Sequence, residues 1–298
     1  MATIVSFINF KGGVGKTTIC VEIAASLAHK FKERVLVVDL DPQTNATLSL
    51  MDEKDWEKHS DSNGTLRELF QSFYEGTDFD ISKILVKTPV KYQSKLDSLD
   101  LIPSHIELFG MDLRLATKFG HENIQAKLFL RQALAKIQNN YTYILIDCPP
   151  NLYLATQNGL FTSERYVIVA LAEYLSTLGI AHIQRSVNNL FADASRILES
   201  LGTGGGSLKV PDLVGIIFNR IRYQSGGTSS EEFFLKEFRT MYPELVFKTT
   251  VPQSTKIAER PQQKVPIAVS GYAADHDYES RMERLAEEFY DRITKPAP

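Results

Sequence analysis

The ten residues Asn9–Thr18, NFKGGVGKTT, constrain this chain more than any other stretch of its length. An apolar, β-branched run precedes them (3–9, TIVSFIN) and a helical pattern follows (16–30). A strand that ends in a glycine loop and restarts at once as a helix leaves the first amides of that helix unpaired. The helix dipole adds positive potential at the same place, which is a ready site for phosphate. In the loop Gly12, Gly13, Val14 and Gly15, the glycines let backbone amides approach oxygens without side-chain interference. Lys16 is placed to reach β- and γ-phosphates, the Thr17 hydroxyl to ligate Mg2+, and Thr18 to bond the α-phosphate. The first glycine of the usual G-x-x-x-x-G-K-[ST] loop is replaced by Phe10, and a second lysine, Lys11, stands at the mouth.

The rest of the chain fits one α/β domain over residues 1–298. Short apolar runs at 34–40, 99–103, 142–148, 165–171, 213–219 and 247–252 alternate with helical patterns. Near-continuous apolar strands of this kind belong to a mostly parallel sheet with helices on both faces, a doubly wound P-loop architecture. Residues 51–98 read as polar and irregular, a surface insertion between sheet elements. The GTGGGS segment (202–207) reads as a loop, and the stripe Tyr278, Met282, Leu285 and Phe289 as a packed helix face.

Acidic residues close two of the predicted strands. Asp39 and Asp41 follow one at the edge where α/β sheets bind ligands, and a carboxylate there can orient an attacking water. Asp147 closes another, where it would hold a Mg2+-bound water. Pro149 and Pro150 stiffen the segment after it. Cys148 reads as a small packing residue. Cys20 and Cys148 are too far apart in sequence for a C-x-x-C motif, and the six histidines do not cluster at ligand spacing.

KGGVGKTT (11–18), VLVVDLDPQTNAT (35–47), SLDLIPSHIEL (98–108), YILIDCPPNL (143–152), EYLSTLGI (173–180) and VGIIFNR (214–220) fall in the order and spacing of one family. The chain resembles the ParA/MinD deviant Walker ATPases, and its Soj-like partition branch best. The resemblance implies ATP and Mg2+ as cofactors and hydrolysis of ATP. It implies an ATP-sandwich homodimer in which Lys11 reaches the partner's phosphates. Asp41 is then the water-positioning carboxylate, Asp39 lies near the metal, Asn219 contacts adenine, and Pro252 belongs to the loop that wraps it (251–261). Non-specific duplex DNA and a ParB-like adaptor are the implied partners, and a cytoplasmic, nucleoid-associated location follows.

The net charge is −3, so DNA binding requires a local basic patch. Residues 209–264 carry nine Lys/Arg against six Asp/Glu. Arg220, Arg222, Lys236, Arg239 and Lys248 are the candidate phosphate contacts there. A MinD-like membrane role is the runner-up, opposed by an acidic C-terminal segment with seven acidic and four basic residues over 265–298. An ATP-dependent ligase of the same fold is a third reading. Lys11 opposes it, because such an enzyme has no use for a residue bridging two ATP sites.

Overall fold

The computed structural model describes residues 1–91, 96–120, 123–201, 208–223, 230–272 and 275–294. The 202–207 loop lies outside them. Seven strands form one sheet: β1 (Thr3–Ile8), β2 (Val35–Asp39), β3 (Val86–Lys87), β4 (Leu99–Ile102), β5 (Tyr143–Asp147), β6 (Arg165–Leu171) and β7 (Asp212–Asn219). Their order is β3-β4-β2-β5-β1-β6-β7, and every neighbouring pair is parallel except β3 with β4. Eleven α-helices are described. They are α1 (Lys16–His29), α2 (Asn45–Leu50), α3 (Glu53–Asn63), α4 (Leu66–Glu75), α5 (Leu108–Phe119) and α6 (Gln125–Ala135), then α7 (Leu154–Thr162), α8 (Tyr174–Ser200), α9 (Ser230–Met241), α10 (Thr255–Gln263) and α11 (His276–Thr294).

Period-two alternation divides each central strand between two apolar layers. In β1, Ile4 and Ile8 join a layer with Phe70, Phe129, Phe161 and Phe191. Val5 and Phe7 face the other, built from Ile19 and Ile23 of α1 and Met282, Leu285 and Phe289 of α11. The expected α11 stripe therefore packs, with Tyr278 partly buried beside it. Cys148 is buried in the first layer, as a packing residue would be.

Two features differ from the sequence reading. Residues 51–98 carry α3 and α4 rather than irregular coil. Thr65 and Glu68 form a reciprocal capping box that starts α4, and Leu66, Leu69 and Phe70 anchor it in the core. The predicted strand at 247–252 is not continuous. Isolated bridges tie Val246 to Ile216 of β7 and Pro252 to Ile221 beyond its end, but between them the amides of Lys248 and Thr249 turn to the Glu288 carboxylate, at 2.8 and 2.9 Å. A side chain of α11 thus takes the donors that a ladder would need. The chain passes close to β7 here: a Cβ on Gly215 would sit 2.5 Å from the Leu245 carbonyl oxygen.

A buried carboxylate ties α1 to the segment after α10. Glu22 accepts hydrogen bonds from the amides of Ile267 and Ala268 at 2.8 and 2.9 Å. Burial pushes its carboxyl up from 4.5 to about 7, although those amides and Arg260 pull the other way. The folded state therefore holds this proton to higher pH than the unfolded chain does. The contribution is fully present below about pH 4.5 and is lost as pH rises through 7, a change of about 3 kcal/mol. Glu22→Gln should remove about one proton of pH dependence from the unfolding free energy between pH 5 and 7.5, measured by urea titration. An unchanged pH slope would contradict this.

Candidate active site

Register brings the predicted site residues together. Phe7 of β1 and Asp39 of β2 both pair with Asp147 of β5, so these three strands end abreast. The chain leaves β1 toward β2 on one side of it, while β6 and β7 lie on the other. The loop after β1 therefore opens into the crevice that such a switch point creates. Gly15 caps α1 with φ +92°, a left-handed conformation that favours glycine, and a Cβ there would lie 2.0 Å from Asn219 Nδ2.

A cavity of about 530 Å³ lies over this loop. Gly12, Gly13, Gly15, Lys16, Thr17, Thr18 and Asp41 line it, as the sequence predicts. Pro150 borders it and lies 3.9 Å from the Cβ position of Gly12, which places the segment after β5 against the loop. Val14 is buried in the core instead, and its carbonyl accepts a 2.9 Å hydrogen bond from Asn219 Nδ2. Asn219 thus clamps the loop, while its Oδ1 accepts the Arg220 amide. Pro252 sits at its bridge to Ile221 and does not border the cavity.

The carboxylates divide their work. Thr17 Oγ1 donates to Asp147 Oδ2 at 2.6 Å. Asp147 Oδ1 is one of two buried side-chain oxygens or nitrogens without a hydrogen-bond partner among the described residues. Burial raises the Asp147 carboxyl, with Thr17 and Lys16 opposing. Burial also raises Asp39, and the neighbouring Asp147 charge adds to the effect. An orphaned carboxylate oxygen beside a threonine hydroxyl, at the floor of a phosphate cradle, fits a hard divalent cation, which would relieve that burden. Asp39 is engaged otherwise. Its Oδ2 accepts the Thr47 amide and hydroxyl at 2.8 and 2.7 Å, and its Oδ1 accepts the Asp41 amide at 3.2 Å. It holds the turn that carries Asp41. Asp41 Oδ1 in turn accepts the Gln43 amide at 3.0 Å, and Ser104 Oγ fixes its carbonyl at 2.7 Å.

Lys11 does not border its own chain's cavity. Its side chain is 53 % exposed and pairs with Glu173 at 2.5 Å. Of the wall formed by Pro261, Gln262 and Lys264, the sequence reading reaches only Pro261, the last residue of the 251–261 loop; α10 brings all three in from far along the chain. The DNA candidates separate. Lys236, Arg239 and Lys248 line one groove of about 660 Å³ together with Arg281 and Arg284, which lie outside the basic segment that the sequence singles out. Arg222 is paired with Glu231 at 2.7 Å outside that lining, and Arg220 lies at the nucleotide-type cavity instead. No described helix is long and apolar enough to cross a membrane.

A phosphate loop with an outward second lysine, on a doubly wound sheet, defines a deviant P-loop NTPase. The AAA domain family matches residues 2–199. Over 271 residues the chain is 31 % identical to the sporulation initiation inhibitor protein Soj of Bacillus subtilis, covering 90 % of each chain. It is 30 % identical to the chromosome-partitioning ATPase Soj of Treponema pallidum over 96 % of each. An ATP complex of a Cyanothece McdA variant superposes with TM-score 0.72 at 18 % identity, over 100 % of this chain and 98 % of that one. A cobyrinic acid a,c-diamide synthase from Mycobacterium smegmatis, with bound ATP analogue and magnesium, gives 0.63 at 25 % identity over 89 % of this chain and 93 % of that one. The chain belongs to the ParA/Soj family of partition ATPases.

Proposed function

We propose that this chain is an ATP-switched positioning ATPase that dimerises around two nucleotides, holds duplex DNA without sequence preference, and segregates a cargo with an adaptor protein. The observation that carries the reading is Lys11. It belongs to the phosphate loop, yet it stands exposed outside the cavity that the loop serves. A cation in that place is useful to a neighbouring copy's phosphates. The ligase reading gives it no task.

In this reading Lys16 and the loop amides bind the polyphosphate. Thr17 and Asp147 would hold Mg2+, which neutralises phosphate charge when bound. Asp39 positions the Asp41 turn through Thr47 and the Asp41 amide. Asp41, with Oδ1 already engaged by Gln43, orients the attacking water through its other oxygen. Asn219 secures the loop through the Val14 carbonyl, and in this reading it and Pro252 serve the base. The Pro149–Pro150 segment, against Gly12, reports the γ-phosphate.

The DNA surface is the groove of Lys236, Arg239, Lys248, Arg281 and Arg284, where Glu232 is the one acidic lining residue described. Arg281 stacks over Tyr223 at 5.9 Å and bonds the Thr250 carbonyl, which fixes its guanidinium at the rim. Dimerisation places two such grooves on one duplex, and avidity then makes retention depend on ATP. Nucleoid association follows from this binding. For the Lys11 assignment, Lys11→Ala should bind ATP with near-wild-type affinity and remain at one-chain mass by light scattering with ATP and Mg2+. A variant that dimerises as tightly as wild type would sink the trans role.

A further inference from the structure

We infer that Arg220 and Lys264 form a second cationic grip on the bound nucleotide. The inference rests on the reading of the cavity as the ATP site and adds residues that the phosphate loop does not supply. Among the described residues, the charged lining of this cavity is Lys16, Arg220 and Lys264 against Asp41. Three cations to one carboxylate is a balance suited to a polyphosphate.

The backbone marks the same two residues. Arg220 has φ +56° and Lys264 φ +54°, the left-handed region that L-residues enter at a cost. Thr44, with φ +56°, stands between the lining residues Gln43 and Asn45. Among the described residues, three of the five non-glycine positions with positive φ thus gather at one cavity. Strain of this kind persists where surrounding structure holds it and is concentrated at ligand sites.

Each residue is held by its backbone and has cationic capacity to spare. The Arg220 amide donates to Asn219 Oδ1, so Arg220 is fixed to the residue that clamps the loop. Its side chain is exposed, and among the described residues its guanidinium has no hydrogen-bond or ion-pair partner. Arg222 and Arg239, by contrast, are engaged with Glu231 and with the Lys248 carbonyl. Lys264 ends α10, and its ammonium reaches the Leu48 carbonyl at 2.5 Å, which joins α10 to α2 beside the cavity. One of its three donors is used there, and the others can meet phosphate oxygens. A guanidinium can both bond a phosphate and stack on a purine.

Glycine substitution separates charge from strain. Arg220→Gly and Lys264→Gly keep the left-handed backbone at no steric cost; the first removes a cation without a described partner, and the second also removes the bond to the Leu48 carbonyl. Each should weaken ADP and ATP binding by about tenfold, the worth of one charge-assisted hydrogen bond, and Arg220→Gly should do so with a thermal midpoint no lower than wild type. Lys264→Arg should retain near-wild-type affinity. Titration with fluorescent ADP and ATP analogues measures all of these. Wild-type protein that binds neither nucleotide would remove the underlying ATP reading. Wild-type binding with both glycine variants within twofold of it would overturn the grip alone. So would an Arg220→Gly variant that loses DNA affinity while keeping nucleotide affinity.

Discussion

Lys16→Ala is expected to weaken ATP and ADP binding by at least about a hundredfold, because it removes a buried cation from the phosphates it faces. Lys16 is the first residue of α1, only 6 % exposed, and sits on the floor of the cavity beside Thr17 and Thr18. Its ammonium also opposes the upward shift of Asp147, so the alanine variant leaves that carboxylate with less support. Calorimetric titration with each nucleotide reads the loss, and circular dichroism checks the fold. An affinity within about tenfold of wild type would mean that the loop amides and the other lining cations carry the phosphates without Lys16.

Asp41→Ala should leave ATP binding intact and reduce turnover by about 10²–10⁴-fold, the range for a lost proton-handling group. The residue is held on three sides: its amide by Asp39, its carbonyl by Ser104, and Oδ1 by the Gln43 amide. That rigidity is what positioning a water requires. Asp41→Asn keeps an acceptor for Gln43 and loses the charge. Both variants should lose turnover, and only the alanine should also loosen the 41–44 turn. Phosphate release assays decide it. Wild-type turnover in Asp41→Asn would move the water-orienting role elsewhere.

The central sheet is legible in the sequence because β1, β2, β5, β6 and β7 are buried strands with little polar interruption. β3, with two residues, is too short to show a period. α3 buries none of its residues, so it lacks an apolar stripe to reveal it. α4 does announce itself through Thr65 and Glu68, a signal that charge counting over 51–98 obscures.

The same contrast applies to the site. The loop residues are contiguous, so their joint chemistry can be read from one window. The wall of Pro261, Gln262 and Lys264 exists only because α10 packs against α2, which no local pattern encodes. Arg281 and Arg284 escape a sequence reading because segment charge averages over a helix. α11 is acidic overall, yet it buries Met282, Leu285 and Phe289 on one face and presents these two arginines to the groove. Arg220 is misplaced for the converse reason. Sequence position groups it with a basic segment, while the end of β7 carries it to the cavity.

Sedimentation of the protein with a labelled duplex, in ATP with Mg2+ and separately in ADP with Mg2+, tests most directly whether nucleotide governs DNA retention. The account predicts that ATP doubles the 33.5 kDa chain and that only the doubled species sediments with DNA. Affinity should fall with salt. Arg281→Ala or Arg284→Ala should reduce the slope of log K against log salt by roughly 0.9 for every phosphate on the duplex that the variant no longer neutralises. DNA bound equally well in ADP by single chains would contradict the account, as would an unchanged salt slope in both groove variants.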